Sequence, residues 1–248
     1  MLRAGTIPGI PKYQKILHVG HSFGSALSYA LAATQPSLSD GLVLTGWTHN
    51  QTLLGTTLAG MNSQLARLNA PKRFGKYPNS YMTWSDQGPN QYAFFAPGHY
   101  DPDMLPYAEA HKQPYTSGEL LTLPAIPESA PEFTGPVLLL VGSESLSHPT
   151  PLLIPSYPHF IPPSITLHPI GQDSPYCGGD CYATGDPAIP SIAAGGAPAF
   201  PKAKTFTAYI QPNTGHALNW HTNSTQAFRV IGAWFRVNSL DGTGSNGF

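Results

Sequence analysis

KILHVGHSFGSALSYALAA, residues 15–33, is the stretch that decides the fold. Its apolar start, KILHV, is typical of a buried strand, and Ser25–Thr34 follows as a helix that ends before Pro36. The pentapeptide GHSFG (20–24) lies between these two segments. This order predicts a strand, a tight turn and a helix, with Ser22 at the turn.

The serine at this turn has the surroundings that a nucleophile needs. A serine hydroxyl is weakly nucleophilic, so it must be exposed, close to a base and close to donors for an oxyanion. A turn that starts a helix exposes the hydroxyl and directs N–H groups at developing negative charge. The glycines at 20 and 24 are expected to relieve crowding at this turn. Ser22 is therefore the candidate nucleophile, with an ordinary turn serine as the alternative.

The composition indicates one domain with a sizeable core, since the chain has 248 residues of which 41% are hydrophobic. Only 10% of residues are charged and the net charge is −1, so no nucleic-acid partner is predicted. No apolar run reaches the roughly 18 residues that a membrane span requires. The first twelve residues show no signal peptide. Two cysteines are too few for a zinc site, and no metal or organic cofactor is predicted.

The rest of the chain continues the alternation of strands and helices. GLVLTGW (41–47) and GPVLLLVG (135–142) are predicted as buried strands, and KTFTAYIQP (204–212) as the last strand. Ser224–Val237 is predicted as the closing helix. This order predicts an α/β fold with a mostly parallel sheet.

One long segment interrupts the alternation. Residues 48–134 contain helical patterns at Thr52–Leu68 and Ser117–Leu123 among aromatic and proline-rich loops, which indicates a cap inserted between strands. The prediction is a single domain, 1–248, in which 1–47 and 135–248 flank this cap. Within the last part, residues 143–171 hold seven prolines and no periodicity, and they are expected to form a disordered insertion.

The base and the acid that would assist Ser22 should follow later strands. His216 lies directly after the last predicted strand and is the candidate base, with His221 as the closest rival. The acid should follow the strand at 135–142, and Glu144, Asp173 and Asp180 all satisfy the order serine, acid, histidine. The residues alone do not choose among these three.

The cysteines, Cys177 and Cys181, lie in the short motif CGGDC. A small disulfide loop, formed in an oxidising compartment, is one interpretation of the pair. Two free thiols are the other, and both remain open at this point.

The motifs AGTIPG, HVGHSFGS, CGGDC and QPNTGHALN resemble the α/β-hydrolase superfamily, and within it a branch associated with fungi. The resemblance covers most of the chain except 143–171. In that branch an acid precedes the first cysteine by four positions, which implies that Asp173 is the acid. The resemblance also implies a bond between Cys177 and Cys181, and such proteins are often secreted. It further implies that the Phe23 N–H is one oxyanion donor.

Two departures from the superfamily pattern stand out. Removal of 143–171 would join VLLLVG to QDSPYCGGDC and restore the pattern, so this segment is interpreted as a translated, unspliced intron. In addition, only about 14 residues precede the first predicted strand, whereas an α/β-hydrolase has several strands there. The N-terminal strands, and the loop that supplies a second oxyanion donor, are therefore expected to be missing.

The function predicted from these features is serine-dependent hydrolysis of an ester or related small-molecule acyl substrate. The intermediate would be an acyl-enzyme, and no cofactor would take part. Aromatic residues near and within the cap suggest an apolar acyl or aromatic group; they are Trp47, Tyr81, Trp84, Tyr92, Phe94 and Phe95. The alternatives are a catalytically inactive fragment or binding module, and a lyase or haloperoxidase-like activity of the same triad.

Overall fold

The structure, a computed structural model, describes residues 2–143, 176–178 and 180–240. Its strands form two sheets. The strands are β1 (Leu17–His21), β2 (Gly41–Thr45), β3 (Ser63–Leu65), β4 (Tyr81–Trp84), β5 (Tyr115–Thr116), β6 (Val137–Ser143) and β7 (Phe206–Pro212).

Helices connect these strands and cover the larger sheet. They are α1 (Phe23–Thr34), α2 (Leu54–Gly60), α3 (Ala66–Asn69), α4 (Pro71–Phe74), α5 (Gln87–Phe94), α6 (Met104–His111), α7 (Ser117–Thr122) and α8 (Ser224–Val237). Short 3₁₀ turns lie at Pro36–Leu38, Leu123–Ala125, Ala194–Ala199 and Leu218–Trp220.

The larger sheet has the strand order β1-β2-β6-β7, and all of its strands are parallel. Every residue of β2 and β6 is buried, because helices cover both faces of these two strands. The predicted α/β class with a parallel sheet is therefore confirmed. Since the carboxyl ends of parallel strands share one edge of a sheet, the residues that follow β1, β2, β6 and β7 meet there.

The side chains of β6 divide the core into two layers, because successive residues of a strand point to opposite faces. Leu139 and Val141 pack on the side of Tyr29 from α1. Leu138 and Leu140 pack on the other side, against Trp234 from α8. The two layers hold the sheet rigidly beneath the residues at its carboxyl edge.

Strand β1 is an edge strand in the described part of the chain, since it pairs with β2 alone. Val19 on this strand is 58% exposed, whereas Val43 on β2 is fully buried. The free edge leaves the backbone groups of alternate residues of β1 without a strand partner among the described residues.

Residues 48–134 hold the second sheet, in which β3, β4 and β5 run antiparallel. The helix predicted at Thr52–Leu68 is wrong in its extent, because α2 ends at Gly60 and Asn62 takes a left-handed conformation with φ 46°. Residues 63–65 then pair with β4 instead of continuing the helix. The helix predicted at Ser117–Leu123 is present as α7, which begins with a capping box of Thr116 and Glu119.

The predicted insertion at 143–171 lies almost wholly outside the described residues. Only Ser143, the last residue of β6, belongs to the described part. The interpretation of this segment as an unspliced intron concerns residues that the structure does not describe.

Candidate active site

Ser22 occupies the turn between β1 and α1 in a backbone conformation that L-residues seldom adopt. Its φ is 54°, and such a conformation costs on the order of 1–3 kcal/mol. The Ser22 N–H donates to the carbonyl of Thr45 at 2.9 Å, and the Ser22 carbonyl accepts from the N–H groups of Ser25 and Ala26. These bonds fix the serine at the N-terminus of the helix, as the sequence predicts.

The two glycines that flank the serine have different roles. A Cβ at Gly20 would lie 2.4 Å from the carbonyl oxygen of Gly24, so the start of α1 approaches the strand too closely for any side chain there. A Cβ at Gly24 would meet nothing within 4 Å outside its own helix. The expectation that both glycines relieve crowding therefore holds for Gly20 and is wrong for Gly24.

His216 reaches Ser22 from the loop that follows β7. Its Nε2 lies 2.7 Å from Ser22 Oγ, a hydrogen-bond distance between residues 194 positions apart in the chain. The His216 side chain is only 3% exposed. Burial, together with the nearby His21, holds the pKa of His216 well below its usual range. The imidazole is thus neutral at pH 7 and able to accept a proton from Ser22.

The other imidazole nitrogen of His216, Nδ1, has no hydrogen-bond partner among the described residues. Its Nδ1 is buried and makes no hydrogen bond in the described part of the chain. Asp180 makes no hydrogen bond to this nitrogen, and its Oδ1 accepts from the Tyr182 N–H at 2.8 Å. The other candidates for the acid, Glu144 and Asp173, lie outside the described residues.

The loop that carries the cysteines lies at the carboxyl end of β6. Cys177 and Cys181 form a disulfide, so the alternative of two free thiols does not hold in this structure. The Cys181 N–H donates to Ser143 Oγ at 3.3 Å. Tyr176, next to the first cysteine, has its ring centroid 6.4 Å from that of His216. This loop thus lies beside the candidate base.

His221, the rival candidate for the base, holds the loop of His216 in place. Its Nε2 accepts from the N–H groups of Ala96 and Gly215, both at 2.9 Å. Its Nδ1 donates to the Ala217 carbonyl at 2.9 Å, since a carbonyl can only accept. Burial lowers the pKa of His221 to about 4, which keeps the ring neutral. The side chain is fully used in supporting the loop.

The Phe23 N–H occupies the first position of α1, where a helix offers N–H groups that make no intrahelical bond. It directly follows Ser22, so it lies where an oxyanion formed at the serine could accept a hydrogen bond.

His21 is a second histidine at the site that the sequence analysis does not single out. Its ring centroid lies 5.0 Å from that of His216. Gly46, with φ 58°, gives both rings their room, because a Cβ there would lie 2.7 Å from His21 Cε1 and 3.1 Å from His216 Cε1. Desolvation by burial lowers the pKa of His21. Only the pairing of β1 with β2, which is non-local, brings the glycine to these rings.

A cavity of about 350 Å³ lies between the cap and the loop after His216. Trp84 and Phe94 line it, as expected for cap aromatics, whereas Trp47 and Phe95 are buried in the core. The lining residues are His21, Trp84, Asn90, Phe94, Ala108, His111, Lys112, Gln113, Ala217, Leu218, Asn219 and Trp220.

The described residues contain neither a cluster of metal ligands nor a helix that could span a membrane. No group of three or more His, Cys, Asp or Glu side chains in this part of the chain could hold a metal ion. None of the helices described is both long enough and apolar enough to cross a membrane.

No protein-family model and no curated protein matches the sequence. Among solved structures, tomato methylketone synthase I in complex with 2-tridecanone aligns with a TM-score of 0.51 and 13% identity, over 96% of this chain and 76% of that chain. A Mycobacterium tuberculosis protein described as a putative non-heme bromoperoxidase aligns with a TM-score of 0.47 and 13% identity, over 89% of this chain and 65% of that chain. E-2-(acetamidomethylene)succinate hydrolase aligns with a TM-score of 0.44 and 16% identity, over 88% of this chain and 66% of that chain.

The alignment with methylketone synthase I shows the fold alone, which is α/β-hydrolase-like. The chain spans about two thirds of the length of the bromoperoxidase and of the succinate hydrolase.

Proposed function

We propose that this chain carries the machinery for serine-dependent hydrolysis of an ester or related acyl compound. The observation that carries the proposal is the 2.7 Å distance between Ser22 Oγ and His216 Nε2. Ser22 stands at a strained turn at the start of a helix, and His216 is buried and neutral. A nucleophile within hydrogen-bond reach of a base of lowered pKa is the arrangement that covalent acyl transfer requires.

In this mechanism Ser22 Oγ attacks the ester carbonyl while His216 Nε2 takes its proton. The Phe23 N–H donates to the oxyanion that forms. The intermediate then collapses, the alcohol leaves with the proton from His216, and an acyl group remains on Ser22. His216 next removes a proton from water, which attacks the acyl carbonyl; the bond to Ser22 Oγ then breaks as His216 returns the proton to that oxygen, and the acid is released. No metal or organic cofactor takes part.

Asp173 is the proposed partner of His216 Nδ1. Two observations on described residues support it: Nδ1 is buried without a hydrogen bond among them, and Asp180, the rival that the structure describes, makes none to it. Tyr176, three residues after Asp173, lies beside the His216 ring. A carboxylate at Nδ1 would fix the tautomer and stabilise the protonated ring. The assignment to the fungal branch is likewise a proposal, based on the sequence motifs.

A catalytically inactive binding module is the second candidate. The free edge of β1 favours it, because this strand ends in the nucleophile turn and has a partner on one side only among the described residues. An oxyanion site built on an unsupported strand would be less rigid, and catalysis depends on preorganised donors.

Ester hydrolysis by single variants of the full chain tests the proposal. With 4-nitrophenyl acetate as the substrate, we expect Ser22→Ala to lower kcat by about 10³-fold or more. Ser28→Ala is the matched control, since its hydroxyl donates to the Gly24 carbonyl within the same helix. Its kcat should stay within about twofold of the parent. Equal turnover by the parent and Ser22→Ala would refute the proposal, and a folded parent without turnover of any ester would favour the binding module.

A further inference from the structure

The cavity between the cap and the histidine loop opens beside the reacting groups. His21 lines it and directly precedes Ser22, while Ala217 lines it and directly follows His216. Its volume of about 350 Å³ falls within the range of small-molecule sites. A substrate bound at Ser22 can therefore extend one of its groups into this space.

Large aromatic and apolar side chains form much of the cavity wall. Trp84 and Phe94 come from the cap, with ring centroids 5.2 Å apart, and Phe94 lies 5.7 Å from the His216 ring. Leu218 and Trp220 come from the loop after His216. Such a wall favours a flat aromatic group, which gains from both burial and offset ring contacts.

The charges at the wall cancel one another. Lys112 lines the cavity, and its side chain is almost fully buried with Nζ 2.5 Å from Glu109 Oε1. The other carboxylate oxygen of Glu109 accepts from Trp84 Nε1 and Asn90 Nδ2. Because the ammonium group is already paired, the cavity offers no unpaired lysine charge for a substrate carboxylate. The wall thus favours a neutral group.

His21 adds one hydrogen-bond acceptor to this neutral wall. Thr45 Oγ1 lies 2.9 Å from the Gly20 carbonyl and 3.0 Å from His21 Nδ1. The Gly20 carbonyl can only accept, so the single proton of the Thr45 hydroxyl is donated to it. Thr45 Oγ1 must then accept from His21, and the proton of the neutral His21 ring lies on Nδ1. The neutral ring then carries its lone pair on Nε2. No described residue hydrogen-bonds to this nitrogen.

We propose that this cavity selects a neutral aromatic substrate group that carries a hydroxyl, and that His21 Nε2 accepts the hydrogen bond from that hydroxyl. The inference rests on the proposed function, since it concerns the substrate of the same site. His21 acts here as a specificity residue and takes no part in the bond-breaking steps.

Binding of unreactive amides to the full chain tests the selection without any need for turnover. By isothermal titration calorimetry, we expect 4-hydroxybenzamide to bind about tenfold more tightly than 4-methoxybenzamide, since the ether cannot donate. In His21→Phe the ratio of the two Kd values should fall below about twofold. His99→Phe, a histidine that does not line the cavity, should keep the tenfold ratio. Equal Kd values in the parent, or a ratio that survives in His21→Phe, would overturn the proposal.

Thr45→Val gives a second test that leaves His21 in place. Without the Thr45 hydroxyl, the proton of the neutral His21 ring can lie on either nitrogen. The ratio of the Kd values of the two benzamides should therefore fall below about threefold, and an unchanged ratio would contradict the assignment of the tautomer.

Ester kinetics separate this inference from the proposed function. Methyl 4-hydroxybenzoate and methyl 4-methoxybenzoate are the matched substrates. Hydrolysis of both at equal kcat/KM overturns the selection and leaves the serine mechanism standing. A tenfold Kd ratio for the amides without hydrolysis of any ester supports the selection and refutes the proposed function.

Discussion

At the scale of single residues, the candidate site depends on one strained serine and on two glycines at which a side chain would meet close neighbours. Ser22 lies in the left-handed region between β1 and α1, and Gly20 admits the start of the helix. Gly46 makes room for two imidazole rings. The residue type at each of these positions is set by the close approach of β1, β2 and α1. Single substitutions therefore test the site without disturbing the rest of the fold.

The first residue-scale prediction concerns Gly46→Ala. Its Cβ would collide with the rings of His21 and His216 and would also stand at a positive φ. We expect a loss of about 1–3 kcal/mol in the free energy of unfolding and at least a tenfold slower reaction of Ser22 with a fluorophosphonate. Urea unfolding and the labelling rate measure the two effects.

Gly98→Ala is the matched control, because Gly98 also has a positive φ but a Cβ there would meet nothing within 4 Å. It should share the loss of stability and leave the labelling rate unchanged. Equal labelling rates in the two variants would contradict the role given to Gly46.

The second prediction concerns the pH dependence of Ser22 reactivity. The neutral form of His216 is the active base, and its pKa lies well below the usual value of 6.5. The rate should therefore rise with pH through an inflection below 6.5 and stay level between pH 7 and 8. Fluorophosphonate labelling of the parent chain from pH 4 to 8 measures this. A rate that falls as the pH rises from 4 to 8 would contradict a neutral His216 as the base, and an inflection at or above pH 6.5 would mean that a carboxylate at Nδ1, such as that of the proposed Asp173, offsets the effect of burial on the pKa of His216.

At the scale of secondary-structure elements, the two strands nearest the site differ in their surroundings. Strand β2 is buried along its whole length, whereas β1 is an edge strand among the described residues. Both carry a valine near the middle, and the residues pair in register as Val19 and Val43. This pair offers a matched comparison of an edge and an interior position.

We expect Val43→Ala to lower the free energy of unfolding by about 2 kcal/mol, because it leaves a cavity in the core. Val19→Ala should change it by less than about 0.5 kcal/mol, since the side chain is 58% exposed. Urea unfolding of both variants at pH 7 measures the difference. A comparable loss at Val19 would mean that something covers β1 in solution.

The elements that the sequence predicts well are those with strong local patterns. The closing helix, Ser224–Val237, has the predicted bounds, and the strand and helix around Ser22 lie where the glycine motif indicates. The cap is predicted poorly, because β3, β4 and β5 are short and their pairing is non-local. Residues 63–65 lie within a helical pattern, yet their pairing with β4 determines their conformation.

The same contrast explains which site residues could be found from the sequence. Ser22 and His216 each follow a strand and carry a glycine motif. His21 and Trp220 have no such signal, because their roles come from the neighbours that the fold brings to them. The motif that contains His21 could have drawn attention to it, since it directly precedes the nucleophile.

At the scale of the whole molecule, His49, which is partly buried, is one of the histidines that tie stability to pH. His49 lies among the rings of Tyr29, Trp47 and Phe200, and neither of its nitrogens has a partner among the described residues. Burial lowers its pKa to about 4. Since the unfolded chain binds a proton near pH 6.5, stability falls as the pH drops from 6.5 towards 4.

This linkage predicts the behaviour of His49→Phe. The parent should lose about 2 kcal/mol of unfolding free energy between pH 7 and pH 5 through His49, and the variant should lack this contribution. At pH 7 the variant should be at least as stable as the parent, because an apolar ring replaces two unpartnered nitrogens. Urea unfolding of the parent and the variant at pH 7 and pH 5 measures these free energies. An unchanged pH dependence in the variant would contradict the burial of a neutral His49.

The most direct test of the account is to locate the residue that reacts with a fluorophosphonate. The full chain is treated with the reagent at pH 7.5, digested and mapped by mass spectrometry, beside the variant His216→Gln. The account predicts one adduct, on Ser22, formed at least 10³-fold more slowly in the variant. An adduct on another serine, no adduct on the folded chain, or equal rates in both proteins would contradict it.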